Sequence, residues 1–273
     1  MTKITKKIIN ESITKSITLI KCPATGKARK RGSSGVFDGS ILKYDDGTSV
    51  EYGDDGTVKN IILDGVDYDY LGQDAYDQFE NQKEELMNSG EIIIGEDSDF
   101  PYVFENDYEF VKAYGDSFAS VYGLGINDSL RNNEDLGELF LGEGHNHFVE
   151  LCNRMRIDID NIICLRLQNN INHSTDNITR KIVKDKGHTS TSVGTDFMTL
   201  AETFTTHADN GMPWEIYTVV KKGSGVTGLF LGNPLKDERG IDWETEVNFA
   251  PKTRFERDLI DETNHIIIQH VTV

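Results

Sequence analysis

Three Asp-Gly pairs, Asp46-Gly47, Asp55-Gly56 and Asp64-Gly65, separate short runs rich in β-branched and aromatic residues: Ser40 to Tyr44, Ser49 to Tyr52, Thr57 to Leu63 and Val66 to Tyr70. Asp-Gly supplies the positive-φ residues that tight hairpin turns require, so this stretch is expected to fold as a small antiparallel meander with a structural or docking role. Gln73 to Met87 follows with helical spacing, Tyr76, Phe79 and Leu86 being its apolar positions, and Asn88-Ser89-Gly90 stops it. After Ile92-Ile93-Ile94 come the acidic stretch Gly95 to Asp99 and then Pro101, which marks a domain boundary near residue 100.

Beyond that boundary the order is helices first and strands afterwards. Asp107 to Tyr122, Glu134 to Leu141 and His145 to Met155 read as helices. Asn161 to Gln168, Thr189 to Val193, Trp214 to Lys221, Gly225 to Leu231, Trp243 to Phe249 and His265 to Val271 read as strands. The fold class is therefore α+β, with a basic arm over 1–31, a small β-rich module with a helix over 32–99, and a larger domain over 100–273. There is no internal repeat and no low-complexity tract.

Charge divides the chain more sharply than its total of −18 suggests. Residues 1–31 hold nine Lys or Arg against the single carboxylate of Glu11, a net +8, so the remaining 242 residues carry −26. The acidic body excludes a general nucleic-acid binder, because it repels phosphate over most of its surface. The cluster Lys27, Arg29, Lys30 and Arg31 suits an anionic partner, the protein's own acidic surface or a solvated arm. No apolar run approaches the length of a membrane span, and the N-terminus alternates Lys, Thr and Ile where a signal peptide is continuously apolar, so a cytoplasmic site of action and no membrane partner are expected. Cys22, Cys152 and Cys164 have neither disulfide nor metal-like spacing, and His173, His188 and His207 also lack metal-ligand spacing. These histidines read as structural or solvent-facing, and no metal is expected.

Three elements in the strand-rich half carry chemistry. The strand Ile162-Ile163-Cys164-Leu165-Arg166-Leu167 holds one cation in an apolar setting, which must meet a protein carboxylate or a ligand phosphate. In Gly187 to Gly194 hydroxyls alternate, so Ser190 and Ser192 share one face of a strand and Thr191 the other. In Trp243-Glu244-Thr245-Glu246-Val247-Asn248-Phe249 two carboxylates at i and i+2 share a face, close enough to shift each other's pKa or divide two roles between them.

Taken in order, Arg166, Ser190-Thr191-Ser192 and Glu244-x-Glu246 resemble the Arg/Ser-Thr-Ser/Glu-x-Glu signature of arginine-specific mono-ADP-ribosyltransferases, the family of clostridial binary-toxin enzymatic components and tailed-phage host-modifying enzymes. Their separations are 24 and 54 residues. Upstream, Ala113 to Gly123 followed by Ile126-Asn127-Asp128-Ser129-Leu130-Arg131 is similar to the family's helix ending in an Ile-Asn-x-x-Leu-Arg turn. Downstream, Ala250-Pro251-Lys252-Thr253-Arg254-Phe255 is similar to its Pro-x-x-x-Phe turn. The likeness covers roughly residues 100 to 273.

The resemblance implies a catalytic domain of two packed β-sheets with flanking helices, NAD as substrate bound without a Rossmann motif, and transfer of ADP-ribose to a target protein presenting arginine. It implies that Glu246 accepts a hydrogen bond from the ribose 2′-hydroxyl and stabilises the developing cation. Glu244 would engage the acceptor guanidinium and help remove its proton. Arg166 would meet the NAD phosphates, Ser190 would fix the Glu246 rotamer, Thr191 and Ser192 would support the strand on the nicotinamide side, and Asn127 and Arg131 would contact the adenosine half. Trp243 falls where relatives carry a target-recognition aromatic, or else belongs to the core; Phe197 and Phe204 are nicotinamide-stacking or core residues. The sequence departs from the family pattern at His188-Thr189, where many relatives have an aromatic, and at Leu167, where Gly is frequent. Other readings are the same fold with RNA or water as acceptor, and a non-catalytic phage or toxin adaptor working through its N-terminal module.

Overall fold

The computed structural model describes residues 35–54, 58–69, 73–97, 99–115, 126–133, 135–136, 142–168, 181–193, 214–231 and 245–273. The basic arm, Phe197, Phe204, Trp243, Glu244 and most of the expected helix Glu134 to Leu141 lie outside these residues.

Turn chemistry fixes the first strands. Strands β1 (Val36–Asp38), β2 (Ile41–Lys43), β3 (Ser49–Tyr52), β4 (Val58–Leu63) and β5 (Val66–Asp69) pair antiparallel in chain order. Between β4 and β5, Asp64 and Gly65 take φ of 51° and 76° and Leu63 pairs directly with Val66, which is a two-residue turn with both central residues at positive φ. Between β2 and β3, Gly47 lies at φ 88° while Thr48 N donates to Asp46 Oδ1 at 3.1 Å. The strand β1 was not expected from the sequence.

The meander joins the main sheet of the larger domain. Asp69 at the end of β5 pairs in parallel with Ile162, the first residue of β8 (Ile162–Gln168), and the sheet then runs on through β11 (Trp214–Val220), β15 (Ile266–Thr272), β14 (Arg254–Asp261) and β9 (Ile182–Lys184). The sheet curls so that Leu42, Val50, Ile61 and Tyr68 from the meander share one apolar cluster with Ile163, Leu165, Tyr217, Leu259 and Ile268. Packing is thus continuous across the boundary expected near residue 100. In β8 and β11 the residues of this cluster alternate with those facing the opposite side, as a strand buried on both faces requires.

Against that opposite side folds a second layer made of β10 (Thr189–Val193), β13 (Thr245–Phe249) and β12 (Leu229–Leu231), with β13 in the middle. β10 also pairs antiparallel with β8 at Ser192–Leu165, so the two layers are parts of one curled sheet. Ile162, Cys164, Val193, Val220, Phe230, Val247, Phe249 and Phe255 fill the space between the layers. The architecture is mixed α+β with two β-layers packed across a core, as the sequence led us to expect. Strands β9 and β14 were not anticipated. β9 is three residues long, and β14 buries Phe255, Arg257 and Leu259 at alternate positions, where the charge run Glu256-Arg257-Asp258 hides the alternation of apolar residues.

Helices cover the outer face of the second layer. Helix α1 (Gln73–Met87) follows its expected span and is clamped to the neighbouring loops by Gln82, whose Nε2 donates to Arg156 O and Gly228 O at 3.2 Å each and whose Oε1 accepts from Phe230 N at 2.9 Å. Helix α2 (Asp107–Gly115) starts at an Asn106 side chain that caps Glu109 N at 3.0 Å. Ile126 to Arg131, read as a turn, belongs to a short helix α3 (Ile126–Asn132), and α4 (Gly142–Arg154) is the helix expected from His145. Phe110, Tyr114, Phe148, Leu151 and Cys152 from α2 and α4 pack with Leu229 and Leu231 in a third apolar cluster. A two-stranded ribbon, β6 (Ile92–Ile94) with β7 (Tyr102–Phe104), stands beside them.

Candidate active site

The register of β10 with β13 brings the sequence motifs together. Ser192 lies opposite Glu246 and Ser190 opposite Asn248, so all four residues share the face that looks toward the helices. Thr191 and Val247 form the intervening pair on the interlayer face, where Thr191 Oγ1 donates to Val247 O at 2.9 Å. The Ser190 hydroxyl and the Asn248 amide both hydrogen-bond the Glu246 carboxylate, the latter from Nδ2 to Oε1 at 3.1 Å. Burial raises the Glu246 pKa above the ordinary carboxylate value. The two hydrogen bonds and the Arg166 charge oppose that shift without cancelling it.

Arg166 meets a carboxylate. It points to the interlayer side of β8, as Ile162 and Cys164 do, and its NH1 lies 3.7 Å from Asp185 Oδ2. Asp185 in turn takes two hydrogen bonds from Arg131, Nε to Oδ1 at 3.0 Å and NH2 to Oδ2 at 2.7 Å, and one from Gly187 N to Oδ1 at 3.0 Å. Burial works against ionisation of Asp185, but these donors and the two guanidinium charges hold its pKa below the usual value. Thr189, Thr191, Thr218, Gln269 and the buried Arg257 line the same polar pocket as Arg166 and Asp185. This is the end of the interlayer core, where apolar packing gives way to polar groups.

The segment between β9 and β10 is tied to α3. Asn127 Oδ1 accepts from His188 N at 2.7 Å, beside the Arg131–Asp185 pair. Gly187 makes room for this contact, because a Cβ on it would lie 2.8 Å from Asn127 Oδ1 and 3.3 Å from Arg131 Nε, so that the Asn127 side chain would have to move. Lys252 N donates to Asp185 O at 2.6 Å, which adds the turn after β13 to the same junction. Asn127 and Arg131, expected to contact the adenosine half of NAD, are therefore engaged with the protein's own 185–188 segment.

His188 is fully buried, with Nδ1 3.1 Å from Asn248 Oδ1 and Nε2 3.4 Å from His145 Nδ1. Its ring meets the rings of His145 and Phe148 edge-to-face at centroid distances of 5.3 and 5.1 Å. Burial pushes its pKa down to about 3, and burial also lowers that of His145, so both rings are neutral near pH 7. Of the two readings open for His188, structural and solvent-facing, the first describes its position.

Ser190, Ser192 and Glu246 thus share the helix-facing side of the β10–β13 layer, Thr191 and Arg166 lie on its interlayer side, and Asn127 and Arg131 hold the 185–188 segment that leads into β10. Thr191 and Ser192 are both buried. Sequence reasoning missed Asp185, Asn248, His145 and Arg257. Only Asn248 carried a readable signal, a polar residue at a position where the strand's alternation does not exclude a core contact. Among the described residues no group of three or more His, Cys, Asp or Glu is arranged to hold a metal ion, and no helix is long and apolar enough to cross a membrane.

No protein-family model and no curated protein matches the chain. Solved structures do. An ADP-ribosyltransferase from Clostridium botulinum, solved in a triclinic form, is 14% identical, with 76% of this chain and 99% of that chain covered and a TM-score of 0.45. Plx2a, an ADP-ribosyltransferase toxin from Paenibacillus larvae, is 13% identical over 73% and 93% of the two chains, with a TM-score of 0.47. C3stau2 from S. aureus, solved with NAD, is 13% identical over 75% and 96%, with a TM-score of 0.45.

Proposed function

We propose that this chain is an NAD-consuming mono-ADP-ribosyltransferase that transfers ADP-ribose to an arginine side chain of a target protein. The observation that carries the reading is the Ser190–Glu246 hydrogen bond across the β10–β13 register, with Arg166 near enough for its charge to act on the same carboxylate.

The chemistry follows from charge. Breaking the nicotinamide–ribose bond leaves the electron pair on nicotinamide and a positive charge spread over ribose C1 and the ring oxygen. A fixed carboxylate beside that charge lowers the barrier, because its field is in place before the charge develops. Glu246 supplies it and accepts a hydrogen bond from the 2′-hydroxyl, while Ser190 holds its rotamer. Arg166 pairs with the diphosphate, exchanging its contact with Asp185 for one with a ligand oxygen. Glu244, by its place two residues before Glu246, receives the proton that the acceptor guanidinium loses when its nitrogen bonds to C1.

Glutamate at 244, matching the first Glu of the family motif, supports arginine as acceptor. The acidic body favours a cationic target surface. Action in the cytoplasm of a target cell, and an anionic partner for Lys27 to Arg31, are parts of the same proposal.

Incubation with labelled NAD and a cell extract tests it. Nicotinamide release together with hydroxylamine-labile protein labelling is expected, with both lost in Glu246→Gln. Glu244→Gln is expected to lose protein labelling while still releasing nicotinamide. Release without labelled protein would point to water as acceptor, and nuclease-sensitive label to RNA. No release at all would leave the adaptor reading.

A further inference from the structure

We infer that His145, His188 and Asn248 form a hydrogen-bond relay of fixed polarity that holds the Glu246 carboxylate in its working orientation, with Asn248 and His188 as positioning residues. The inference rests on Glu246 being the carboxylate beside the reacting ribose.

The direction of each bond is dictated by the one before it. An ionised carboxylate can only accept, so the group 3.1 Å from Glu246 Oε1 is the Asn248 amide nitrogen. That leaves Asn248 Oδ1 facing His188 Nδ1 at 3.1 Å, and an oxygen there requires Nδ1 to carry the proton. A neutral ring protonated at Nδ1 has its lone pair on Nε2, which accepts from His145 Nδ1–H at 3.4 Å. Reversing any one bond would set two donors or two lone pairs against each other.

Little in this chain of groups is free to turn. Asn248 is 1% exposed and His188 is fully buried, so bulk water does not replace a lost partner. The His188 backbone is pinned by Asn127, and its ring is pressed between His145 and Phe148. Ser190 and Asn248 are direct cross-strand partners, so Glu246 receives one donor from each strand of the pair. A carboxylate gripped from both strands keeps one rotamer, whereas Ser190 alone would leave it free to pivot. An amide at position 248 costs free energy to bury in the layer that holds Leu229 and Leu231, and the relay offsets that cost. The low pKa of His188 keeps the ring neutral, and with it the relay's polarity, throughout the range in which Glu246 is ionised.

Long-range ¹H–¹⁵N correlation spectra of the histidines, with nicotinamide-release kinetics on variants, test the relay. His188 is expected as the Nδ1–H tautomer in the wild-type protein. Asn248→Leu and His188→Leu are expected to lower kcat about tenfold to a hundredfold, as for a slightly misplaced catalytic group. KM for NAD should stay within about twofold of wild type, since ground-state binding is untouched. His188→Asn, whose amide nitrogen can stand in for Nδ1, should recover most of the lost kcat. An Nε2–H tautomer at His188 in the wild type overturns the relay even if a variant fails to fold. So does a folded Asn248→Leu protein with unchanged kcat, or a change confined to KM. A wild-type protein with the Nδ1–H tautomer but no NAD turnover would uphold the hydrogen-bond chain and remove the functional reading instead.

Discussion

Arg131 of α3 grips both oxygens of Asp185, at 3.0 and 2.7 Å, while Arg166 of β8 reaches the same carboxylate at 3.7 Å. One acid thus joins α3 to β8 through the segment that leads into β10. Asp185 is almost buried, so removing its charge leaves two guanidinium groups facing each other in a poorly solvated junction.

Asp185→Asn is therefore expected to destabilise the fold by about 2 kcal/mol near neutral pH, the partial exposure of both arginines keeping the loss below that of a fully buried pair. Because the folded pKa of Asp185 is depressed, its stabilisation is present above the unfolded carboxylate value and is lost as pH falls through the folded value. Denaturant titrations should give a constant gap between wild type and Asp185→Asn from pH 7 to 5 that closes below about pH 4. A gap independent of pH would show that the pairing is not ionic.

Gly187 lies under Asn127 so closely that a methyl group must displace it. Gly187→Ala is expected to cost about 1–3 kcal/mol, in the range of other overpacked sites. If Asn127 is the obstacle, the same substitution in an Asn127→Ala background should cost at least about 0.5 kcal/mol less, which a double-mutant cycle by urea unfolding measures. Strict additivity would place the strain elsewhere.

The parts of this site that could be read from sequence are those governed by two-residue periodicity. Alternation set Ser190 and Ser192 on one face, and the β10–β13 register then placed Glu246 with them. Turn chemistry likewise located the β4–β5 hairpin at Asp64-Gly65. The Arg131–Asp185 pair spans 54 residues and depends on how α3 docks, for which no local pattern exists. Arg257 was hidden because the charge run Glu256-Arg257-Asp258 masks the strand around it, although Arg257 is buried beside Arg166 in a polar pocket. The meander's packing against β8 and β11 carries no local signal, since it joins that sheet at the single register pair Asp69–Ile162 and its apolar contacts with those strands are all long-range.

Arg166→Lys tests the proposed phosphate contact. Lysine keeps the charge but not the planar fork, so binding weakens without removal of the group nearest the reacting bond. KM for NAD is expected to rise about tenfold with kcat within about threefold, read from nicotinamide release at varied NAD. A fall in kcat at unchanged KM would instead tie Arg166 to Glu246 through its charge.

On the far face of the central sheet, Glu215 of β11 is buried beneath the meander, where it accepts a hydrogen bond from Tyr217 and lies near Tyr52, with Tyr44 and Asp261 beyond. Burial raises its pKa to about 7, against an unfolded value near 4.3. The native state therefore holds the proton more tightly than the unfolded chain. Glu215's contribution to stability is present at acid pH, declines as pH rises above the unfolded value, and levels off above about pH 7. Glu215→Gln, which imitates the protonated form, should leave stability near pH 4.5 almost unchanged and raise it at pH 8 by on the order of 3–4 kcal/mol. Guanidinium unfolding of both proteins at the two pH values measures this, and a variant equally destabilised at both would mean that Glu215 is held ionised by its tyrosine partners.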